Sequence, residues 1–430
     1  MPVQASRRPS STGSAAPSGR IAASIPVQPG RSTGGPGGRP PGDGGGGRAG
    51  GGGRAGGGGR AGGPAKKRTR RKDPLWARLT VIFGAVLMLS SGVAIVGGKV
   101  LIGQATGDIA QRNLLGEAGK SDAEGGASLD GPIDMLLLGV DARERWAADD
   151  VRSDSIIILH IPASHDQAYL ISIPRDTQVQ IPPFKASGYA GGTDKINAAF
   201  QAGARNGGGW EGGAQLMAQT IKRLTGVSFD GAAIINFGGF KNVIDTLGTV
   251  KICVSHEVKS KHMSFVDGKP MWNADAKKTG KKMTPVVHKK GCQEMEGWAA
   301  LDYARQRYGL PGGDYDRQQN QQQLIKAMAR KATDGGTLTS PTKLNQLIKA
   351  AGKAFVLDTG GAKIEDLIFT MRGVTANELT MLKTNNGTFN GNGQGSEALN
   401  EETMAMFGAL KQDKLAEFIF NHPEVISTRK

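Results

Sequence analysis

Arginines and aspartates recur in close pairs through the middle of this 430-residue chain. Arg152 and Asp154 precede one apolar run, Arg175 and Asp176 follow another, and Asp141 and Arg143 follow a third. Further on, "DYARQRYGLPGGDYDRQQNQQQ" holds Arg305 and Arg307 two positions apart, and Arg317 and Gln321 four apart. In an extended segment the first pair shares a face; on a helix the second pair does. A single Arg or Asp in a loop is usually a solvated ion pair of little energetic weight. Several guanidinium groups together have another use, because each presents a planar fork of donors suited to bidentate binding of phosphate, and a set of them can hold a pyrophosphate. Lys195, beside the start of a helical pattern, adds a point charge there. Bare carboxylates would repel such a ligand unless a divalent cation stands between them. Mg2+ takes one or two carboxylates together with phosphate oxygens and water, which nominates Asp141 and Asp154 as its ligands. Aspartates that neutralise arginines before substrate arrives are a compatible alternative.

The elements that must position these groups can be read from apolar patterning. "IDMLLLGVD" (133–141), "SIIILHI" (155–161) and "AYLISIP" (168–174) are nearly continuous apolar runs, as strands covered on both faces by helices are. "TDKINAAFQAGA" predicts a helix capped by Thr193 or Asp194, and "AQLMAQTIKRL" one with Met217, Ile221 and Leu224 on a single stripe. "GAAIINF" and "TVKICV" read as strands around a short helix, "FKNVIDTL", ended by Gly248. "RQQNQQQLIKAMARKA" predicts a helix with Leu324, Met328 and Ile325 inward. Residues 257–290, lysine-rich and weakly patterned, read as an exposed loop or hairpin. The expected fold is α/β (α+β layered), a central mixed β-sheet flanked by helices, over residues 131–430, with a core at 134–331 and an extension at 332–430. Ligands of open α/β sheets bind beyond strand ends, so the charged pairs are placed to converge on one cleft. Pro174 removes a ladder donor and lets the chain leave the sheet with Arg175 aimed into that cleft. Asp176 is expected to orient its neighbours rather than bind metal.

Residues 1–74 have another character. Their Gly/Arg runs carry 14 Lys or Arg against two Asp, hence +12 of the chain's +16, and they contain too little apolar material to fold. They read as a disordered cytoplasmic tail. Without interleaved Phe or Tyr for base stacking, and with the remainder nearly balanced in charge, nucleic acid is not the expected partner. Leu79–Gly98 is an uncharged stretch of twenty residues, enough to cross a bilayer of roughly 30 Å. The start preceding it is too long for a cleaved signal peptide. Residues 75–103 are thus expected to anchor the chain in the cell membrane as a single pass, followed by a juxtamembrane linker at 104–130. The cluster "KKRTRRK" before the span keeps the N-terminus cytoplasmic and places the rest outside. In that oxidising exterior Cys253 and Cys292 are expected to pair, closing a loop of about 40 residues worth ~4 kcal/mol on a chain-entropy argument. Two buried thiols are the alternative.

"LLLGVDAR", "RSDSIIIL", "SIPRDTQV", "DKINAAF" and "GWAALDYARQR" followed by "GDYDRQQNQQ", in this order, resemble the successive motifs of the LytR-CpsA-Psr family, and the single basic-flanked anchor is similar too. The resemblance implies a phosphotransferase that moves a glycopolymer from a polyprenyl pyrophosphate carrier onto peptidoglycan through a phosphodiester, with a hydrophobic tunnel for the lipid. It assigns Arg152, Arg175, Lys195, Arg305, Arg307, Arg317 and Gln321 to the pyrophosphate, and Asp141 and Asp154 to Mg2+. Asp154, Arg175, Arg305 and Arg307 are the residues expected to carry catalysis. Two positions depart from the family pattern: Asn320 stands where many relatives have arginine, and "LGTV" replaces a Gly-Gly-Val turn. A polyprenyl pyrophosphate hydrolase and a non-catalytic lipid-binding or regulatory envelope protein remain the alternatives. The six histidines show no zinc spacing, no G-x-S-x-G elbow is present, and "GVAIVGGKV" has Val93 and Val100 where a phosphate loop needs Gly and Ser/Thr.

Overall fold

The structure is a computed structural model that describes residues 109–121, 128–140, 151–334, 336, 340–352 and 355–427. The expected tail, the membrane anchor and Asp141 lie outside the described residues. Chain order runs through strands β1 (Ala110–Gln111), β2 (Ile133–Val140), β3 (Ser153–Ile161) and β4 (Ala168–Ser172), then a hairpin of β5 (Gln178–Ile181) and β6 (Gly192–Lys195). Next come helices α1 (Asn197–Ala204) and α2 (Gly209–Thr225), strand β7 (Gly231–Asn236), helix α3 (Phe237–Leu247), and strands β8 (Val250–Val254), β9 (Val258–Val266) and β10 (Lys269–Trp272). Helix α4 (Asn273–Lys278) leads to β11 (Thr284–His288) and β12 (Gly291–Met295), followed by α5 (Gly297–Arg305), α6 (Asp314–Asp334) and α7 (Pro341–Gly352). The chain then passes through β13 (Phe355–Asp358), α8 (Ile364–Thr370), β14 (Leu379–Leu382), α9 (Glu401–Lys411) and α10 (Leu415–Asn421).

Among the described residues, seven strands form one mixed sheet in the order β1-β13-β7-β2-β3-β4-β14. β7 runs parallel to β2 and β14 parallel to β4, while β3 is antiparallel to both β2 and β4. The carboxyl ends of β2, β4, β7 and β14 therefore meet the amino end of β3 along one edge. Strand alternation divides the apolar residues between two faces. Leu136, Leu138, Val140, Ile156 and Ile158 pack with Phe200, Leu216, Met217 and Ile221 of α1 and α2. Met135, Leu137, Ile157 and Leu159 point the other way and pack with Ile325 of α6. A neighbouring cluster joins Phe240 and Ile244 of α3 to Ala300 and Tyr303 of α5 and Leu324 of α6. The continuous apolar runs are thus strands covered on both sides. Glycines let α1 and α2 touch backbone to backbone: a Cβ on Gly203 would stand 2.2 Å from the carbonyl oxygen of Gly212.

Several expectations change in detail. Thr193 and Asp194 belong to β6, and α1 begins at Asn197 with Ile196 before it and no side-chain cap, because strand pairing with β5 claims the would-be cap residues. Arg305 and Arg307 do not share an extended segment: Arg305 is the last residue of α5, and the chain becomes extended only at Gln306. The lysine-rich stretch takes the hairpin alternative and extends it: β9 and β10 pair about a turn at Asp267 and Gly268, and β11 adds a third strand to give the order β10-β9-β11, with α4 against the sheet. Its inward positions include the buried Ser260, Ser264 and His288, and polar residues there hide the two-residue apolar period a strand normally shows. The 332–430 extension supplies β13 and β14 to the central sheet, so the sheet draws on both ends of the described chain.

Cys253 and Cys292 form a disulfide, opposite one another in the antiparallel pair β8 and β12.

Candidate active site

The sheet edge where four strands end and β3 begins carries the charged groups. Pro174 follows β4, and its carbonyl accepts from the Thr177 amide at 3.1 Å and the Thr177 hydroxyl at 2.7 Å, so the chain turns sharply there. That turn delivers Arg175 to Asp154 at the start of β3, Nη1 to Oδ1 at 2.8 Å. Asn197, the first residue of α1, donates to the same oxygen at 3.4 Å. Asp176 accepts from Lys195 at 2.8 Å and lies 3.6 Å from the Arg175 Nε, the orienting role expected of it.

Helix α6 closes the cluster from the opposite face of the sheet. Arg317 donates from Nη2 to the backbone carbonyl of Asp154 at 2.7 Å and pairs with Asp314, one turn earlier, at 3.0 Å. Asp314 also lies 3.5 Å from the Arg175 Nε. Three aspartates, two arginines and a lysine from β3, the turn after β4, β6 and α6 thus interlock.

The electrostatics follow from this crowding. Burial works to raise the Asp154 carboxyl, but Arg175 and Arg317 outweigh it and hold the group below the ordinary carboxylate value. Burial works to lower the Arg175 guanidinium, and Asp154 and Asp314 more than reverse it. Arg317, almost wholly enclosed, is pulled down by burial, with repulsion from Arg175 and Arg307 acting in the same direction against Asp314 and Asp154. A buried cation in that position gains from an incoming anion.

An apolar cavity of about 50 Å³ lies directly behind these charges, between the sheet and helices α3, α5 and α6. Leu137, Ile157, Ile235, Phe240, Leu301 and Leu324 are among its lining residues. Ser155 and Gln321 are the polar members of the lining, and Ser155 Oγ and Gln321 Oε1 are buried without a hydrogen-bond partner. The strand pleat explains the juxtaposition: Asp154 and Ser155 are consecutive, so they face opposite sides of β3, one into the charge cluster and the other into the cavity. Arg317 and Gln321 repeat it on α6, one turn apart.

Of the residues nominated from sequence, Asp154, Arg175, Lys195 and Arg317 come together, and Gln321 lines the adjoining cavity. Arg307 is near enough to repel Arg317, and its guanidinium lies 4.8 Å from the Tyr308 ring centroid while Nη2 donates to the Tyr308 hydroxyl at 2.8 Å. Arg305 lies over the Trp272 ring at 5.0 Å. Arg152 is exposed, and its Nε donates to Gln201 of α1 at 2.9 Å. Sequence reasoning passed over Asn197, Asp314 and Ser155. Asp314 left a signal, an acid three residues before Arg317, whereas Asn197 and Ser155 stood inside motifs read for their charged neighbours.

Asp154 suits a magnesium ligand in kind, since it is a partly exposed carboxylate held ionised by two arginines, with Oδ1 committed to Arg175 and a second oxygen in reserve. Asn320, at the position where arginine was expected, is buried on α6, so this chain places a neutral amide there.

The LytR_cpsA_psr family model matches residues 103–412. The chain is 31% identical over 237 residues, 52% of its length, to a probable cell wall biosynthesis protein, LcpB, of Corynebacterium glutamicum, and spans 48% of that relative, about half. It is 28% identical over 331 residues to the polyisoprenyl-teichoic acid–peptidoglycan teichoic acid transferase TagU of Oceanobacillus iheyensis, covering 75% of this chain and 89% of that one. In fold it is similar to the crystal structure of a Streptococcus agalactiae protein, with a TM-score of 0.51 at 21% identity over 69% of this chain and 91% of the other.

Proposed function

This chain belongs to the LytR_cpsA_psr family, and we propose that it is a membrane-anchored, Mg2+-dependent phosphotransferase that moves a glycopolymer from a polyprenyl pyrophosphate carrier onto peptidoglycan. One observation carries the reading: the interlocked charges around Asp154 and the apolar cavity beside Ser155 occupy two sides of one strand end. A ligand with a diphosphate at one end and a hydrocarbon chain at the other meets both environments at once. The expected anchor at 79–98 would hold the enzyme where such a lipid resides, with the catalytic portion outside the cell.

In this mechanism Arg175 and Arg317 bind the diphosphate oxygens, with Arg307 and Lys195 adding charge at the rim. An acceptor hydroxyl of peptidoglycan releases its proton to water and attacks the phosphorus nearer the sugar, a new P–O bond forms, and the bridging P–O bond breaks. The electron pair leaves on polyprenyl phosphate, whose negative charge the arginines stabilise more strongly as it develops. Asp154, kept ionised, fixes the Arg175 fork before substrate arrives. Mg2+, when bound, would be held by Asp154 and Asp141 and would supply polarisation of the phosphoryl oxygens.

The test uses the full chain in detergent with a polyprenyl-pyrophosphate oligosaccharide, assayed with and without peptidoglycan. Transfer of radiolabelled sugar to peptidoglycan is expected, and charge reversal by Arg175→Glu should abolish it without unfolding the protein. Equal release of free sugar whether or not acceptor is present would mean hydrolysis, and would overturn the reading.

A further inference from the structure

The lysine-rich stretch is a basic lobe with a defined attachment to the site. Between Lys251 and Lys290 stand ten lysines against Glu257, Asp267 and Asp275, a net +7, and all ten lysines are exposed. Residues 75–430 carry +4 in all, the chain's +16 less the tail's +12, so outside the lobe that stretch is −3. Positive charge is therefore concentrated in the lobe. Two lysines are matched locally, Lys278 with Asp275 and Lys281 with Asp267, each at 2.6 Å. Such exposed pairs hold their partners weakly.

Many charged faces are only solvated; this one is fastened to the arginine segment. Pairing of β9 with β11 sets Val287 opposite Lys259 and His288 opposite Val258, so Lys259, Lys261, Lys289 and Lys290 gather at one end of the lobe. A buried polar hub lies at that end. The fully enclosed Asp302 accepts from Ser260 at 2.8 Å and from Gln306 at 2.9 Å, and its other oxygen meets His288 Nε2 at 2.7 Å. Gln306 Oε1 in turn accepts from the Lys261 amide at 3.1 Å. Gln306 sits between Arg305 and Arg307, and Arg307 is within electrostatic reach of Arg317. Positive charge thus continues from the cleft onto the lobe.

We infer that this lobe binds the outgoing chain of a polyanionic glycopolymer, one whose repeats bear phosphate or carboxylate, with Lys259, Lys261, Lys289 and Lys290 nearest the cleft. The identity of the polymer as substrate rests on the transfer reading; the binding surface itself does not. A polymer whose diphosphate is held by Arg175 and Arg317 must leave across adjoining surface, and a flexible anionic chain gains from each exposed lysine it passes. Neutral glycans would gain nothing there.

Hydrogen exchange on the full chain in neutral detergent micelles tests this, because it localises binding apart from the basic tail. Poly(glycerol phosphate) should protect amides within residues 258–290, dextran should not, and added salt should weaken the protection. Replacing Lys259, Lys261, Lys289 and Lys290 by Gln should raise the polymer concentration needed for half-protection about tenfold, at unchanged melting temperature. Arg175→Gln, which the transfer reading needs intact, should leave the protection in place, so the two ideas fail separately. Unchanged protection in the quadruple variant, no protection in the wild type, or protection by phosphatidylglycerol vesicles but not by polymer would each overturn the inference.

Discussion

Arg317 and Asp154 are 163 residues apart in sequence and joined by a 2.7 Å hydrogen bond, from the guanidinium Nη2 to the main-chain carbonyl. Through it a helix packed on one face of the sheet reaches over the sheet end to the residue whose side chain serves the other face. Because the acceptor is main chain, no substitution at Asp154 removes it, while any change at Arg317 does.

Arg317→Lys keeps a charge but loses the fork that spans Asp154 and Asp314. Transfer should fall about 100-fold, and stability by about 2 kcal/mol, as expected for the loss of a charge-assisted hydrogen bond with the charge retained. Denaturant unfolding and the labelled-sugar assay read the two effects.

Acid should act on Asp154 in a direction set by its neighbours. Its folded pKa lies below the ordinary value of 3.8, so the ionised group contributes stability that is complete above the unfolded value and lost as pH falls through the folded one. Asp154→Asn lacks that contribution. The gap in melting temperature between wild type and variant should therefore narrow on acidification from about pH 5 to about pH 3.

Glu397 has the opposite sign. Burial raises its carboxyl, with Asp176 adding to the shift, against hydrogen bonds from Tyr315 and Asn385 that lower it. A folded pKa above the ordinary 4.5 means stability is greatest at low pH and declines as pH rises through the folded value. Glu397→Gln keeps an oxygen to accept from the Tyr315 hydroxyl and carries no charge. Its stability relative to wild type should increase between about pH 4 and about pH 7 in thermal melts.

Filling the cavity should separate lipid binding from folding. Ala304 lines it and is buried, and Ala304→Phe would occupy space rather than create a void. Affinity for a polyprenyl pyrophosphate analogue should drop at least about tenfold, while overpacking should cost about 1–3 kcal/mol. Unchanged affinity would move the lipid elsewhere.

The disulfide should be complete and stabilising. Thiol titration of the denatured, unreduced chain should find no reactive thiol, and Cys253→Ser with Cys292→Ser should cost about 2–4 kcal/mol, read as a lower denaturant midpoint.

Much of this was legible before any coordinates. Continuous apolar runs at 133–141, 155–161 and 168–174 mark strands covered on both faces, and charged residues at their ends mark a cleft, since both follow from local patterning. The helix of α6 was legible too, with Leu324, Ile325 and Met328 inward as expected, but the amides buried along its first half were not. Gln318, Gln321 and Gln322 are enclosed, and Gln322 Nε2 donates to Leu170 O, Ser172 Oγ and Leu382 O, tying β4 to β14. Polar side chains carry no periodic apolar signal, so a helix that buries amides reads as half solvated. A second buried network, Lys120 with Asp230 at 2.6 Å and Asp134 with His160 at 2.7 Å, left no trace for the same reason.

Residue type and order thus determined the chemistry on offer: guanidinium forks, carboxylates, a strand-breaking proline and two cysteines. Tertiary structure decided which of them meet. Asp154 takes Arg175 and Arg317 as partners rather than the nearer Arg152, and the cavity opens beside Ser155, because sheet order, strand direction and the placement of α6 are fixed by packing between segments far apart in the chain. Such long-range contacts leave no spacing in the sequence from which they could be read.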